Sequence, residues 1–113
     1  MTPPDPRKYV RYDLRFGVEL SAGGTLQTCE GQDIGAGGCQ LIAMFPLQRG
    51  QGVRVRLRSE RTPIEVSGQA TVAWSSRVPP YRAGLQFSEP LVEDAVRFIH
   101  AIFGPVRLTK AGG

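Results

Sequence analysis

From Leu14 onward the chain is a series of short alternating or β-branched runs interrupted by glycines. Leu14-Arg-Phe-Gly-Val-Glu-Leu20 alternates apolar and polar positions, as a strand with one buried face does. Ala22-Gly-Gly-Thr25 has the composition of its turn, and Leu26 to Asp33 reads as the returning strand. Glycines at 35, 37 and 38 precede a third run, Cys39 to Met44. Val53-Arg-Val-Arg-Leu-Arg58 is the cleanest alternation, predicting Val53, Val55 and Leu57 inside with Arg54, Arg56 and Arg58 outside. Ile64 to Trp74, apolar at 64, 66, 70, 72 and 74, predicts a long fifth strand, and Tyr81 to Phe87 a sixth. The period then changes. Val92, Ala95, Val96, Ile99, Ile102 and Phe103 repeat at helical spacing, with Ser88 or Glu89 as cap, Pro90 in the first turn, Glu93 and Asp94 near the positive end of the dipole, and Gly104-Pro105 as the stop.

These elements predict a mainly β fold: a six-stranded antiparallel β-barrel with a C-terminal α-helix packed on it and a flexible N-terminal arm. Residues 1–13 form the arm, where Pro3, Pro4 and Pro6 forbid a helix before Arg7. The barrel covers 14–88, the helix 89–104 and a tail 105–113, all within one domain, as 113 residues suggest.

Composition narrows the function. A hydrophobic fraction of 41% with 21% charged residues is that of a globular chain. No apolar run reaches the length of a membrane span, and the N-terminus does not have the form of a signal peptide. One histidine, His100, and two cysteines without a CxxC pair leave little for metal or Ser-His chemistry. No nucleophile–base set or acid/base pair assembles, so the chain is read as a non-enzyme without metal or cofactor. The net charge is +4, and 12 of the 14 cations are arginines, which suit bidentate contacts with phosphate. A genome rich in G and C gives the same arginine bias.

Two stretches carry candidate chemistry. In Arg7-Lys-Tyr-Val-Arg11, two arginines four apart lie about 13 Å apart if extended and converge on one anion if turned. Taken alone, that spacing also fits a solvated basic tail. In Gln32-Asp-Ile-Gly-Ala-Gly-Gly-Cys39, three glycines allow a tight path with positive φ and close approach of a ligand, while Asp33 offers two carboxylate oxygens to a donor pair such as a guanine edge. A hairpin turn with Asp33 bonding its own backbone fits the same residues.

Together these stretches resemble the PilZ family, bacterial receptor domains for cyclic di-GMP. Its signature is an RxxxR arm followed by a strand ending D/N-x-S-x-x-G. Here these are Arg7 to Arg11 and Asp33-Ile-Gly-Ala-Gly-Gly38, with Val72-Ala-Trp74 and Tyr81-Arg-Ala-Gly-Leu-Gln-Phe87 similar to the family's late strands. The resemblance covers essentially the whole chain and implies the same barrel. It implies that Arg7 and Arg11 clamp phosphates and stack on guanine, that Asp33 reads a guanine edge, and that Gly35 and Gly38 line the loop. Lys8 and Trp74 are further candidate contacts, with a core aromatic as the other reading of Trp74. Gly35 replaces the motif serine, removing a hydroxyl and weakening the expected affinity. Pro6 precedes Arg7, where an arginine would suggest a stacked ligand pair, so one ligand per site is expected.

The remaining candidates have plainer readings. Cys29 and Cys39 are read as small core residues, His100 as a helix-flank residue, and the Arg54, Arg56, Arg58 row as a solvated strand face. The functional expectation is a cytoplasmic, monomeric second-messenger receptor. It would relay cyclic di-GMP by ordering its arm and altering the surface shown to a protein partner. The alternatives are a PilZ-like adaptor without nucleotide binding and a basic barrel for single-stranded nucleic acid.

Overall fold

A computed structural model describes residues 10–104. Its elements are β1 (Tyr12–Ala22), β2 (Thr25–Gly35), β3 (Gly38–Ala43), β4 (Gly52–Ser59), β5 (Thr62–Ser75), β6 (Tyr81–Phe87) and α1 (Glu89–Phe103). All six strands pair antiparallel in a closed barrel of order β1-β2-β3-β6-β5-β4. Closure is made by β1 against β4, from Gly17 opposite Arg58 to Ser21 opposite Arg54. The predicted barrel with its C-terminal helix is therefore the fold.

Alternation fills the interior as expected, with Val18, Leu20, Leu41, Val55, Leu57 and Val72 almost fully buried. Gly23 and Gly24 both take positive φ, at 58° and 84°, giving the β1–β2 hairpin its tight turn. Arg54, Arg56 and Arg58 face solvent, and Glu19 pairs with Arg56 at 3.7 Å and Arg58 at 3.5 Å. Part of that basic row is thus neutralised, which weakens a nucleic-acid reading.

The helix packs mainly on β5, but with a different face from the predicted one. Its buried residues are Leu91, Ala95, Phe98 and Ile99, with Val92 and Ile102 partly buried and Phe103 exposed. At 100° per residue the true stripe is rotated by roughly 60°. Phe98 meets Phe16 edge-on, with ring centroids 6.3 Å apart. Leu91 fits above Gly68, where an added Cβ would lie 3.1 Å from the Leu91 Cβ. Ser88 is the N-cap by position only, since its side chain makes no capping bond. The first-turn acid is Glu89, while Asp94 pairs with Arg97 at 3.0 Å. Gly104 ends the helix at φ 89°, its N–H donating to the His100 carbonyl at 2.8 Å.

Candidate functional site

Two bulges decide which side chains reach the outer surface. On β2, strict alternation would turn Asp33 inward with Cys29 and Gly31. The register instead shifts between Gly31 and Asp33, so that two steps on β2 oppose one on β3. Asp33 emerges outside, and the next residue, Ile34, is buried. On β5 the same device acts between Val72 and Trp74. Trp74 is 42% exposed, so the core reading of this aromatic does not hold.

The outer face can be followed rung by rung. Asp33 lies opposite Gln40, Gln40 opposite Gly84, and Gly84 opposite Trp74. Three interstrand steps separate Asp33 from Trp74, about 14 Å at roughly 4.8 Å per step. A Cβ on Gly84 would collide with the Trp74 indole, so the ring lies directly over that glycine. The adjoining rung pairs Gly35 with Gly38 and Gly38 with Gln86. Gly35, Gly38 and Gly84 thin out the side chains on this face, with Gln40 and Gln86 standing between them and the Trp74 ring covering Gly84.

At one end of this face, the structure brings two predicted site residues together. Arg11 donates from Nε, at 3.1 Å, and from Nη2 to a single Asp33 oxygen, Oδ1. Among the described residues Oδ2 has no partner, which leaves one oxygen open to a further donor. Arg11 and Asp33 remain partly open to solvent. Nearby, Glu30 accepts from Gln32 at 2.7 Å and from Arg15 at 3.3 Å. Arg7 and Lys8 lie outside the described residues, so their expected roles are carried by sequence alone.

The glycine loop works differently from expectation. The positive-φ glycines among the described residues are Gly23, Gly24, Gly50 and Gly104, so Gly35, Gly37 and Gly38 supply no left-handed backbone. Gly38 is required for space, because an added Cβ would strike the Leu85 carbonyl. The loop is further tied to β6 by the Phe87 N–H donating to the Gly37 carbonyl at 2.9 Å.

Beneath the site both cysteines are buried and unpaired. Burial pushes the Cys39 thiol up to about 12, with Arg11 drawing it back and Asp33 and Cys29 raising it further. Burial likewise raises Cys29 to about 11. Both are core thiols. Gln40 was missed by the sequence reading although alternation after Gly38 points it outward, midway between Asp33 and Gly84. Among the described residues there is no cluster of three groups able to hold a metal, and no helix long and apolar enough to cross a membrane.

A closed six-stranded antiparallel barrel followed by one helix defines the class of fold to which this chain belongs. The PilZ domain model matches residues 5–104, and the chain belongs to that family. Solved structures agree in fold. The PilZ domain of YcgR from Escherichia coli, determined with c-di-GMP, has TM-score 0.67 at 14% identity, covering 85% of this chain and 90% of that one. The PilZ domain of CeSA from a cellulose-synthesizing bacterium gives 0.60 at 17%, covering 84% and 96%. The Bacillus subtilis inhibitor of motility, MotI/DgrA, gives 0.64 at 20%, with 82% of this chain covered. This chain spans about half of that protein, 51% of its length. No curated protein matches the chain in sequence.

Proposed function

We propose that this protein is a non-catalytic receptor for cyclic di-GMP, acting in the bacterial cytoplasm. The observation that carries the reading is the Arg11–Asp33 pair, partly open to solvent beside the Gly35–Gly38 turn. Arg11, joined by Arg7 from the preceding segment, clamps phosphate through the guanidinium N–H groups that Asp33 does not take. Asp33 takes the N1–H and N2–H donors of a guanine, sharing its charge between that edge and Arg11. Gly35 and Gly38 let the ligand approach the backbone, while Lys8 and Trp74 are the outlying contacts. The protein binds as a monomer and relays the signal by docking the segment that precedes β1 onto the ligand and so changing the surface a partner meets.

The test is isothermal titration calorimetry with cyclic di-GMP at physiological salt. Saturable heat that disappears in Arg7→Ala/Arg11→Ala is the expected outcome, with one ligand per chain. Absence of heat from the native protein would overturn the reading. One observation favours a second reading, an adaptor without nucleotide binding: Gly35 stands where the motif carries serine. Those null titrations would then be its signature.

A further inference from the structure

The end of the barrel that carries the β3–β4 and β5–β6 loops has an unusual surface. Residues 43–52 and 74–82 contain three arginines, Arg49, Arg77 and Arg82, and no carboxylate. Met44, Phe45 and Val78 are each more than half exposed there, and Leu26 beside the β1–β2 turn is exposed as well. Pro46, Pro79 and Pro80 add further exposed apolar surface. Between the loops lies a groove of about 830 Å³, walled by Trp74, Pro46, Gln48 and Ser75 and flanked by Arg49 and Arg77. Neither arginine forms an ion pair among the described residues.

The loops are held in place rather than draped. The Gly50 N–H donates to the Val72 carbonyl at 2.7 Å, and the Val72 N–H to the Gln51 carbonyl at 2.9 Å. Ser75 Oγ donates to the Leu47 carbonyl at 2.5 Å, and Ser76 Oγ to the Val78 carbonyl at 2.6 Å. On the other side, the Met44 N–H donates to Gln27 Oε1 at 2.8 Å. Little ordering entropy is left to be lost when something docks. Exposed aromatic, methionine and arginine side chains are the composition that protein interfaces favour.

We infer that this groove docks an acidic peptide segment of a partner protein, an apolar side chain entering against Trp74 while flanking carboxylates meet Arg49 and Arg77. Charge decides the occupant: the face offers cations without a single competing acid. The apolar share decides against nucleic acid, which would find three cations scattered among exposed Met44, Phe45 and Val78 instead of a continuous basic track. Trp74 also covers Gly84 on the face that carries Asp33, so one ring borders both sites. The inference rests on the reading above only in holding that the protein acts through a partner.

Trp74 is the sole tryptophan and reports on its own groove. Its emission is followed while the full chain is titrated with acetyl-Glu-Asp-Leu-Phe-Glu-Asp-amide, with the Lys/Arg counterpart of that peptide, and with oligothymidylate. A saturable change with the acidic peptide alone is expected, weakened about tenfold or more in Arg49→Glu/Arg77→Glu, where two attractive charges become repulsive. No change, an equal response to the basic peptide, or a response to oligothymidylate alone would overturn the inference. So would sedimentation showing that a second copy of the chain fills the groove. Both arginines are exposed, so the variant keeps its fold, checked by circular dichroism. Its calorimetric affinity for cyclic di-GMP should equal that of the native protein, so docking and nucleotide binding fail independently.

Discussion

Gly38 faces the Leu85 carbonyl with no room for a methyl group, and the obstacle is backbone that cannot swing aside. Gly38→Ala should therefore cost about 1–3 kcal/mol by overpacking. Urea unfolding would show this as a lower midpoint at unchanged slope. Gly35 poses the opposite case. Gly35→Ser restores the hydroxyl of the family motif, and a recovered hydrogen bond of about 0.5–1.5 kcal/mol should tighten cyclic di-GMP binding about two- to tenfold. Calorimetry checks it, and an unchanged affinity would mean that backbone amides or water already fill the role. The sequence makes both glycines conspicuous for two shared reasons, positive φ and close approach of a ligand, and neither glycine uses the first.

At the scale of elements, every strand and the helix were legible, because period-2 and period-3.6 patterns follow directly from which face is buried. Departures occur where tertiary contact overrides local pattern. Asp33 and Trp74 have the parity of inward residues, and only the register shifts send them out. A bulge is a pairing event between two strands, so one strand's sequence does not display it. The helix face slipped for a related reason. Val96 and Phe103 fit an apolar stripe as well as Leu91 and Phe98 do, and the choice belongs to the barrel, which offers Gly68 and Phe16 as seats. The two stripes make different predictions. Phe98→Ala should cost about 3–5 kcal/mol through the cavity it leaves. Val96→Ala, only partly buried, should cost under about 1 kcal/mol by the same denaturant measurement.

For the molecule as a whole, the buried thiols couple stability to alkaline pH. In the unfolded chain a cysteine loses its proton near 8.5, whereas burial holds Cys29 to about 11 and Cys39 to about 12. Between these limits the unfolded state binds fewer protons than the native one, so stability is fully present below about pH 8 and falls as pH rises. Native protein should lose more unfolding free energy between about pH 8 and pH 10 than Cys29→Ala/Cys39→Ala does. A matching slope in the two would show that the thiols are not desolvated. At neutral pH a thiol reagent should label neither cysteine until the protein is unfolded.

The pairing of β1 with β4 has one more consequence. An open sheet ends in a row of unsatisfied amides and carbonyls that can template a stray strand, seeding fibrils or accepting a donated segment from another protein. Among the described residues the six strands close on themselves where Gly17–Ser21 of β1 meets β4, and no such seam is left there. Crowding should not zip copies together along that closed stretch, and a partner cannot insert a strand between β1 and β4 there. A protein partner that grips the described barrel does so by the side chains on its rim and outer wall.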